Sequence, residues 1–417
     1  MVERMVTRRS AYALLVASIG VIVAATLIPF GALQLETMPP KWCLACADLW
    51  LTDGLSNVVL FAPFGAALGL LGVRARWALV LSAGFSLFVE YMQSIGVPPA
   101  RSATLADVVA NAIGGIVGAA VVIRWRWVSA SSSREATALS CVWVAGALAM
   151  LALTSVAVGP RGRTVERATY RKSSYPHTPD LGWYGGLIDT AMVDAYVQTH
   201  RGTGPVIAEA SQEPRVVSAA AMLRGREGGE AFVPIVFVHM PFSTSAIVTL
   251  AQHADAAELS VTRRAWDWGL AMPSLTLPGV FAGRTVNDPR VLRLSAVAAP
   301  DHLELHARAE HFAGDRTLPL TPTLGWAMIQ TLIGFDSPFA LVARLGWLAA
   351  LIFPVGWWAV QTGRRRSAAL GGAAVVLVAG ASSMPWLFGV APIGWGDWMI
   401  MSTFYIAAAA FGAARTH

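Results

Sequence analysis

Two carboxylates, Glu90 and Asp107, and one guanidinium, Arg101, lie in or beside strongly apolar stretches, together with Asp53 and the amides Asn57, Gln93 and Asn111. A charged side chain at the centre of a bilayer helix costs about 2.5–3.5 kcal/mol on insertion scales, so such residues persist where they face protein, water or a ligand. Their types allow two chemistries. Arg101 can hold an anionic head group through paired N–H donors, with Asn57, Gln93 and Asn111 hydrogen-bonding it and Glu90 and Asp107 orienting the guanidinium. Glu90 and Asp107 can instead form an acid/base pair of a membrane enzyme, although no nucleophile or metal set accompanies them. The same residues also fit a purely structural role, as polar glue between helices or, for Asp53 and Asp107, as first-turn residues favoured by the helix dipole.

Spacing supports a common location. Asp53/Asn57 and Asp107/Asn111 are i,i+4 pairs and Glu90/Gln93 is an i,i+3 pair, so each pair shares one helix face. Small residues follow in two of the three segments: Gly65 and Gly69 in one, Gly114, Gly115 and Gly118 in the other. Small residues let membrane helices approach closely, and Pro63 frees a backbone carbonyl near the polar residues.

The elements that must carry these residues are membrane spans. Of the 417 residues, 55% are apolar and 13% charged, the balance of a polytopic membrane protein. Apolar stretches long enough to span occur at about 11–34, 54–73, 77–97, 104–123, 137–158, 339–361, 367–389 and 396–414. Arg8 and Arg9, Arg74 and Arg76, Arg124, Arg126 and Arg134, Arg364–Arg366 and Arg415 mark every second connection as basic. By the positive-inside rule that gives eight helices with both termini cytoplasmic. Asp53, Asn57, Glu90, Gln93, Arg101, Asp107 and Asn111 then fall near the outer face, and residues 160–338 are extracytoplasmic. The net charge of +6 is accounted for by these topogenic arginines, and no nucleic-acid-binding motif is present.

The 160–338 segment holds seven of the eight histidines and short strand-like runs at 232–238, 246–250, 259–262, 291–294 and 303–307. In the last, Leu303, Leu305 and Ala307 alternate with Glu304, His306 and Arg308, the period of a half-buried strand. A β-sandwich is expected, with a helix at 187–200 and an interfacial helix at 323–333 leading into the sixth span. The expected organisation is therefore a four-helix membrane domain (1–128), a fifth span (129–159), an extracytoplasmic β-rich domain (160–320), and an interfacial helix with three further spans (321–417).

The stretch DGLSNVVLFAPFGAALG at 53–69, FVEYMQ at 88–93 and RSATLADVVANAIGGIVG at 101–118 together resemble a VanZ-like domain. Asp53, Asn57, Phe61, Pro63 and Gly65 match its first block, Glu90 and Gln93 its second, and Arg101, Asp107, Asn111, Gly114 and Gly118 its third. The resemblance covers about residues 10–125 and implies an envelope role of the kind that gives low-level resistance to the glycopeptide teicoplanin. Some VanZ-like proteins carry a soluble module resembling a laminin-G or concanavalin-like jelly roll, followed by further helices. The 160–320 segment is similar in placement and strand content, which implies glycan binding. The expected partners are membrane lipids and a lipid-linked cell-wall precursor or a glycan. No cofactor and no metal are expected. A non-enzymatic binding protein, a membrane enzyme using Glu90 and Asp107, and a lipid or antibiotic transporter are the three functional readings.

Other residues offer weaker chemistry. Cys43 and Cys46 form a C-x-x-C suited to an outward disulfide, and Cys141 is expected to pack inertly. Trp266-Asp267-Trp268 could form a sugar platform or core packing, and Trp183 and Tyr184 share that ambiguity. His302 and His306 share a strand face with His311 nearby. The W-G-D-W at 395–398 reads as an aromatic belt and helix cap.

Overall fold

A computed structural model describes residues 8–28, 42–44, 49–97, 103–124, 132–160, 165–172, 187–193, 196–198, 205–208, 215–222, 232–239, 246–283, 291–310, 312–329 and 338–415, with the side chains of 165–232, 237–247, 338, 364 and 415 left aside. Its residues group into two compact units. The first comprises Met1–Trp143, Phe353–Ala373 and Tyr405–His417, the second Val144–Ile352 and Ala374–Phe404.

Eight long helices are present among the described residues: α1 (Arg8–Leu27), α2 (Trp50–Leu70), α3 (Ala75–Ser94), α4 (Leu105–Ile123), α5 (Ser133–Val158), α8 (Pro338–Val360), α9 (Arg366–Phe388) and α10 (Trp395–Arg415). Seven of them are long and apolar enough to cross a membrane; the chain is a multi-pass membrane protein. The exception is α3. It has the length, at 20 residues, but its buried face holds Ser82, Ser86, Glu90 and Gln93. Its exposed face is apolar, with Trp77, Val80, Leu81, Leu87, Phe88 and Tyr91. An average over the whole helix hides that division of faces.

Glycines set the packing of the first unit. A Cβ at Gly114 would meet the Val58 carbonyl oxygen at 2.4 Å, and one at Gly118 the Ala62 oxygen at 1.9 Å. A Cβ at Gly65 would strike the Gly115 oxygen at 2.0 Å. Backbone therefore touches backbone along α2 and α4, the close approach that small residues permit between membrane helices. Because residue numbers rise together across this contact, α2 and α4 run in the same direction. Pro63 is accommodated within a continuous α2. Phe61, Phe64 and Phe85 cluster with ring centroids 5.6–6.2 Å apart, and Ile22 of α1, Leu68, Ala78 and Ala119 complete that core.

The inserted segment is a β domain of two six-stranded antiparallel sheets, apart from the two-residue parallel pair of β1 (Trp42–Cys43) and β2 (Ala103–Thr104) in the first unit. One sheet contains β3 (Val165–Lys172), β6 (Pro205–Ala208), β8 (Phe232–His239), β9 (Ala246–His253), β10 (Ala256–Val261) and β11 (Ser274–Leu277), in the order 11-10-9-8-3-6. The other contains β4 (Leu187–Val193), β5 (Tyr196–Gln198), β7 (Arg215–Met222), β12 (Val291–Ala298), β13 (His302–Ala309) and β14 (Phe312–Pro319), in the order 14-13-12-7-4-5. Period-two burial holds in β10, β12 and β13: Leu259, Leu292, Leu294, Leu303 and Leu305 are fully buried while their neighbours face out. The Arg316 guanidinium donates to the Thr276 carbonyl at 2.7 Å, joining β14 to β11.

Two local expectations are corrected. Residues 187–193 and 196–198 form the antiparallel strands β4 and β5 rather than a helix, because β4 also finds an antiparallel partner in β7; cross-strand pairing outweighs a short, ambiguous apolar pattern. The helix expected at 323–333 shrinks, among the described residues, to the single turn α7 (Gly325–Met328), and all four of its residues are buried rather than lying at an interface. Trp326 packs with Ala340 and Trp347, and the close approach requires Gly325, whose Cβ would meet Trp347 at 2.3 Å.

Gly118→Val is expected to destabilise the full-length protein by about 1–3 kcal/mol, the usual cost of overpacking, read as a lower melting temperature in detergent. Gly84, with nothing within 4 Å of its would-be Cβ, should accept alanine with no loss, since alanine has the better helix propensity.

Candidate functional site

The buried face of α3 meets α4 in three successive rungs. At the first, the Thr104 N–H donates to Glu90 Oε2 at 2.8 Å. At the second, Asn111 Nδ2 donates to Ser86 Oγ at 2.8 Å. At the third, Ser82 lies against Gly115, where a Cβ would collide with its Oγ. Numbers fall on one helix as they rise on the other, so α3 and α4 are antiparallel. With α2 parallel to α4, the Asp53/Asn57, Glu90/Gln93 and Asp107/Asn111 pairs all come to one end of the bundle.

Thr104 is the hinge of this arrangement. Its hydroxyl caps α4 by accepting the Asp107 N–H at 3.1 Å, an N-cap at the position where Ser and Thr are favoured. Its own N–H goes to Glu90, whose carboxylate thereby satisfies a helix-start donor from a neighbouring helix. The segment is braced from the other side: β1 pairs with β2, Cys43 Sγ lies 3.7 Å from the Ala103 oxygen, and the Ala106 N–H donates to the Leu44 oxygen at 3.0 Å. Cys43 is disulfide-bonded, and Cys46 lies outside the described residues.

The remaining candidates divide by burial. Glu90 is 2% exposed and Asn111 3%. Gln93 is buried and donates through Nε2 to the Thr26 oxygen of α1 at 3.3 Å. Asp53, Asn57 and Asp107 are half-buried. Arg101 lies outside the described residues. Two polar atoms in the rungs are sealed without a hydrogen-bond partner among the described residues, Asn111 Oδ1 and Ser82 Oγ. Neither Ser82 nor Ser86 stood out in the sequence. Their i,i+4 spacing with Glu90 was the available signal, but serine is too common in membrane helices for that alone to mark a site.

Residues 5–126 match the sequence model of the VanZ/LLP1 family. This segment is a VanZ-like domain. The matched region contains all three rungs and every residue of the polar cluster. No curated protein and no solved structure matches the chain. In the VanZ-like domain the glycines hold α2 to α4 and the polar rungs hold α3 to α4, so the residues that carry the family resemblance are also those that close the bundle.

Elsewhere the sequence candidates fare differently. Trp266 and Trp268 are half-buried and sit around one helical turn, α6 (Arg264–Asp267), not on a strand. Cys141 is free and exposed, not packed. Trp183, Tyr184 and His311 lie outside the described residues. Asp397 does more than cap α10: it is buried, accepting from Thr323 Oγ1 at 2.5 Å and from Arg344 Nε at 2.6 Å. Arg344, 53 residues away in sequence, had given no signal of its own.

His302 and His306 do share a strand face, but carboxylates surround them. His302 contacts Asp301 at 2.7 Å and Glu304 at 3.2 Å, and His306 contacts Glu304 at 3.3 Å and Asp315 at 2.7 Å. Among the described residues no group of three or more His, Cys, Asp or Glu is arranged to hold a metal. Hydrogen bonds from Arg308, then from His306, push the Asp315 carboxyl down to about 2.

A depressed carboxyl contributes stability above its unfolded value and loses it as pH falls towards the folded one. Between about pH 4 and pH 2 the melting temperature of the wild type should therefore fall more than that of Arg308→Gln, with the difference shrinking in high salt because these groups are exposed. For the cap, Thr104→Val should cost about 0.5–2 kcal/mol while Thr104→Ser costs little, measured by thermal melting in detergent.

Proposed function

We propose that the VanZ-like domain is a non-enzymatic binding module of the bacterial cell envelope, whose polar end takes a lipid-linked or cell-wall-related ligand. Teicoplanin-resistance-like behaviour would follow if that ligand is a cell-wall precursor. One observation carries the reading: Asn111 Oδ1 is an acceptor cut off from water with no protein donor among the described residues. Leaving such an atom unsatisfied costs about 1–3 kcal/mol, and a hydroxyl or amide of a ligand that parts the side chains covering it would relieve that cost. Half-buried Asp53, Asn57 and Asp107 form the accessible polar rim beside it, and Arg101, in the α3–α4 connection, supplies the positive charge for an anionic head group. In this reading the site faces away from the cytoplasm and both termini lie inside. The acid/base alternative has less support, because the Glu90 carboxylate is committed to the Thr104 N–H.

The test separates binding from folding. Asn111→Leu removes the orphan acceptor at similar volume, so melting temperature should hold or rise, while affinity for a lipid-linked cell-wall precursor should drop about ten-fold or more, roughly 1.4 kcal/mol. Unchanged affinity in Asn111→Leu would overturn the proposal. Glu90→Gln and Asp107→Asn should leave precursor chemically unaltered in both variant and wild type; turnover by the wild type that either substitution abolishes, with binding intact, would instead assign an enzyme.

A further inference from the structure

A second polar constellation lies in the other unit, at the end where α8 begins and α10 begins. Asp397 is buried, and both of its oxygens are engaged: Oδ2 by Thr323, itself 2.8 Å from Thr321, and Oδ1 by Arg344 Nε. That contact uses one edge of the guanidinium. Among the described residues the terminal amino groups, Nη1 and Nη2, have no protein partner, and the side chain is 38% exposed. Nη2 lies over Gly396, 3.8 Å from where a side chain there would begin, so no side chain at that position covers the fork.

The surroundings identify what the fork meets. Arg344 is six residues into α8, about 9 Å along the helix from Pro338 at 1.5 Å per residue. Phe339 (65% exposed), Trp395 (85%) and Trp386 (91%) expose much of their rings at this same helix end. Exposed tryptophans concentrate where hydrocarbon gives way to head groups, and an arginine at that depth directs its charge to the same level.

We propose that Arg344 is a docking site for a phosphate group carried by a membrane phospholipid. A planar guanidinium held at Nε offers its remaining N–H donors as a preset pair matching two phosphate oxygens. Asp397 is a positioning residue: with both oxygens occupied it orients the fork and presents no free acceptor to compete with the anion. This site is independent of the VanZ-like domain and of the ligand proposed for it.

Native mass spectrometry of the full-length protein, released from detergent, tests this with two added lipids of identical acyl chains: phosphatidylglycerol and a phosphate-free glucosyl diacylglycerol. The wild type should retain phosphatidylglycerol preferentially, and Arg344→Gln should lose that preference by about ten-fold. Because Arg344→Gln leaves Asp397 without its cation and can fail to fold, Arg344→Lys is the second variant. It keeps the charge but not the fork, and should weaken retention several-fold at an unchanged melting temperature. Equal retention of both lipids by the wild type, or equal phosphatidylglycerol retention by wild type and Arg344→Lys, overturns the proposal. Stabilisation by inorganic phosphate that depends on Arg344, without any lipid preference, overturns the lipid assignment and moves the site to a soluble phosphate.

Discussion

A carboxylate with almost no exposed surface imposes the tightest constraint on the membrane-domain fold. Glu90 belongs to α3, the one described long helix not apolar enough overall to count among the candidate spans, and it must be satisfied by its neighbours because hydrocarbon offers nothing. The Thr104 N–H does so, and it is available only because α4 starts at Thr104. Had the cap formed one residue earlier, Thr104 would be the first residue of the helix and its N–H would point along the helix axis instead. The start of α4, the depth of Glu90 and the register of α3 against α4 are thus one choice. The following rungs, Ser86 with Asn111 and Ser82 with Gly115, are consequences of the same register.

Glycine makes that register affordable to the third helix. Backbone contact between α2 and α4 at Gly65, Gly114 and Gly118 fixes their separation at a value no side chain could bridge. It also brings Asp53 and Asn57 to the end that Asp107 and Asn111 occupy. Without a hydrophobic driving force between helices in lipid, close van der Waals contact and polar pairing are what remain to hold them. The VanZ-like domain uses both, on different faces of α4.

Much of this was legible in the chain. The spans could be read because apolar runs of that length have few alternatives, and the i,i+4 pairs because helical geometry is regular. Leu303, Leu305 and Ala307 declared β13 by alternation alone. What could not be read depended on partners distant in sequence. Residues 187–193 became a strand because β7 pairs with β4, which no local pattern encodes. Thr104 hid among ordinary threonines until Glu90 arrived beside it. Arg344 looked like any other basic residue near a span, since nothing local marks it as the partner of Asp397.

Glu90 and Asp397 answer the same physical problem in the same manner. Each is a buried acid near the end of a long helix, and each accepts from a threonine in a different segment: the Thr104 backbone N–H in one case, the Thr323 hydroxyl in the other. Asp397 has a cation beside it, and pairing with Arg344 Nε leaves the remainder of that guanidinium directed outward. Glu90 sits one helical turn from Ser86, and Ser86 takes the Asn111 amide while the Asn111 oxygen stays unsatisfied. A buried acid that is fully satisfied explains stability and nothing further. The unused donor or acceptor next to it, Arg344 Nη in one unit and Asn111 Oδ1 in the other, is the atom whose chemistry the fold has not consumed, and it is there that a ligand can gain free energy the protein alone does not.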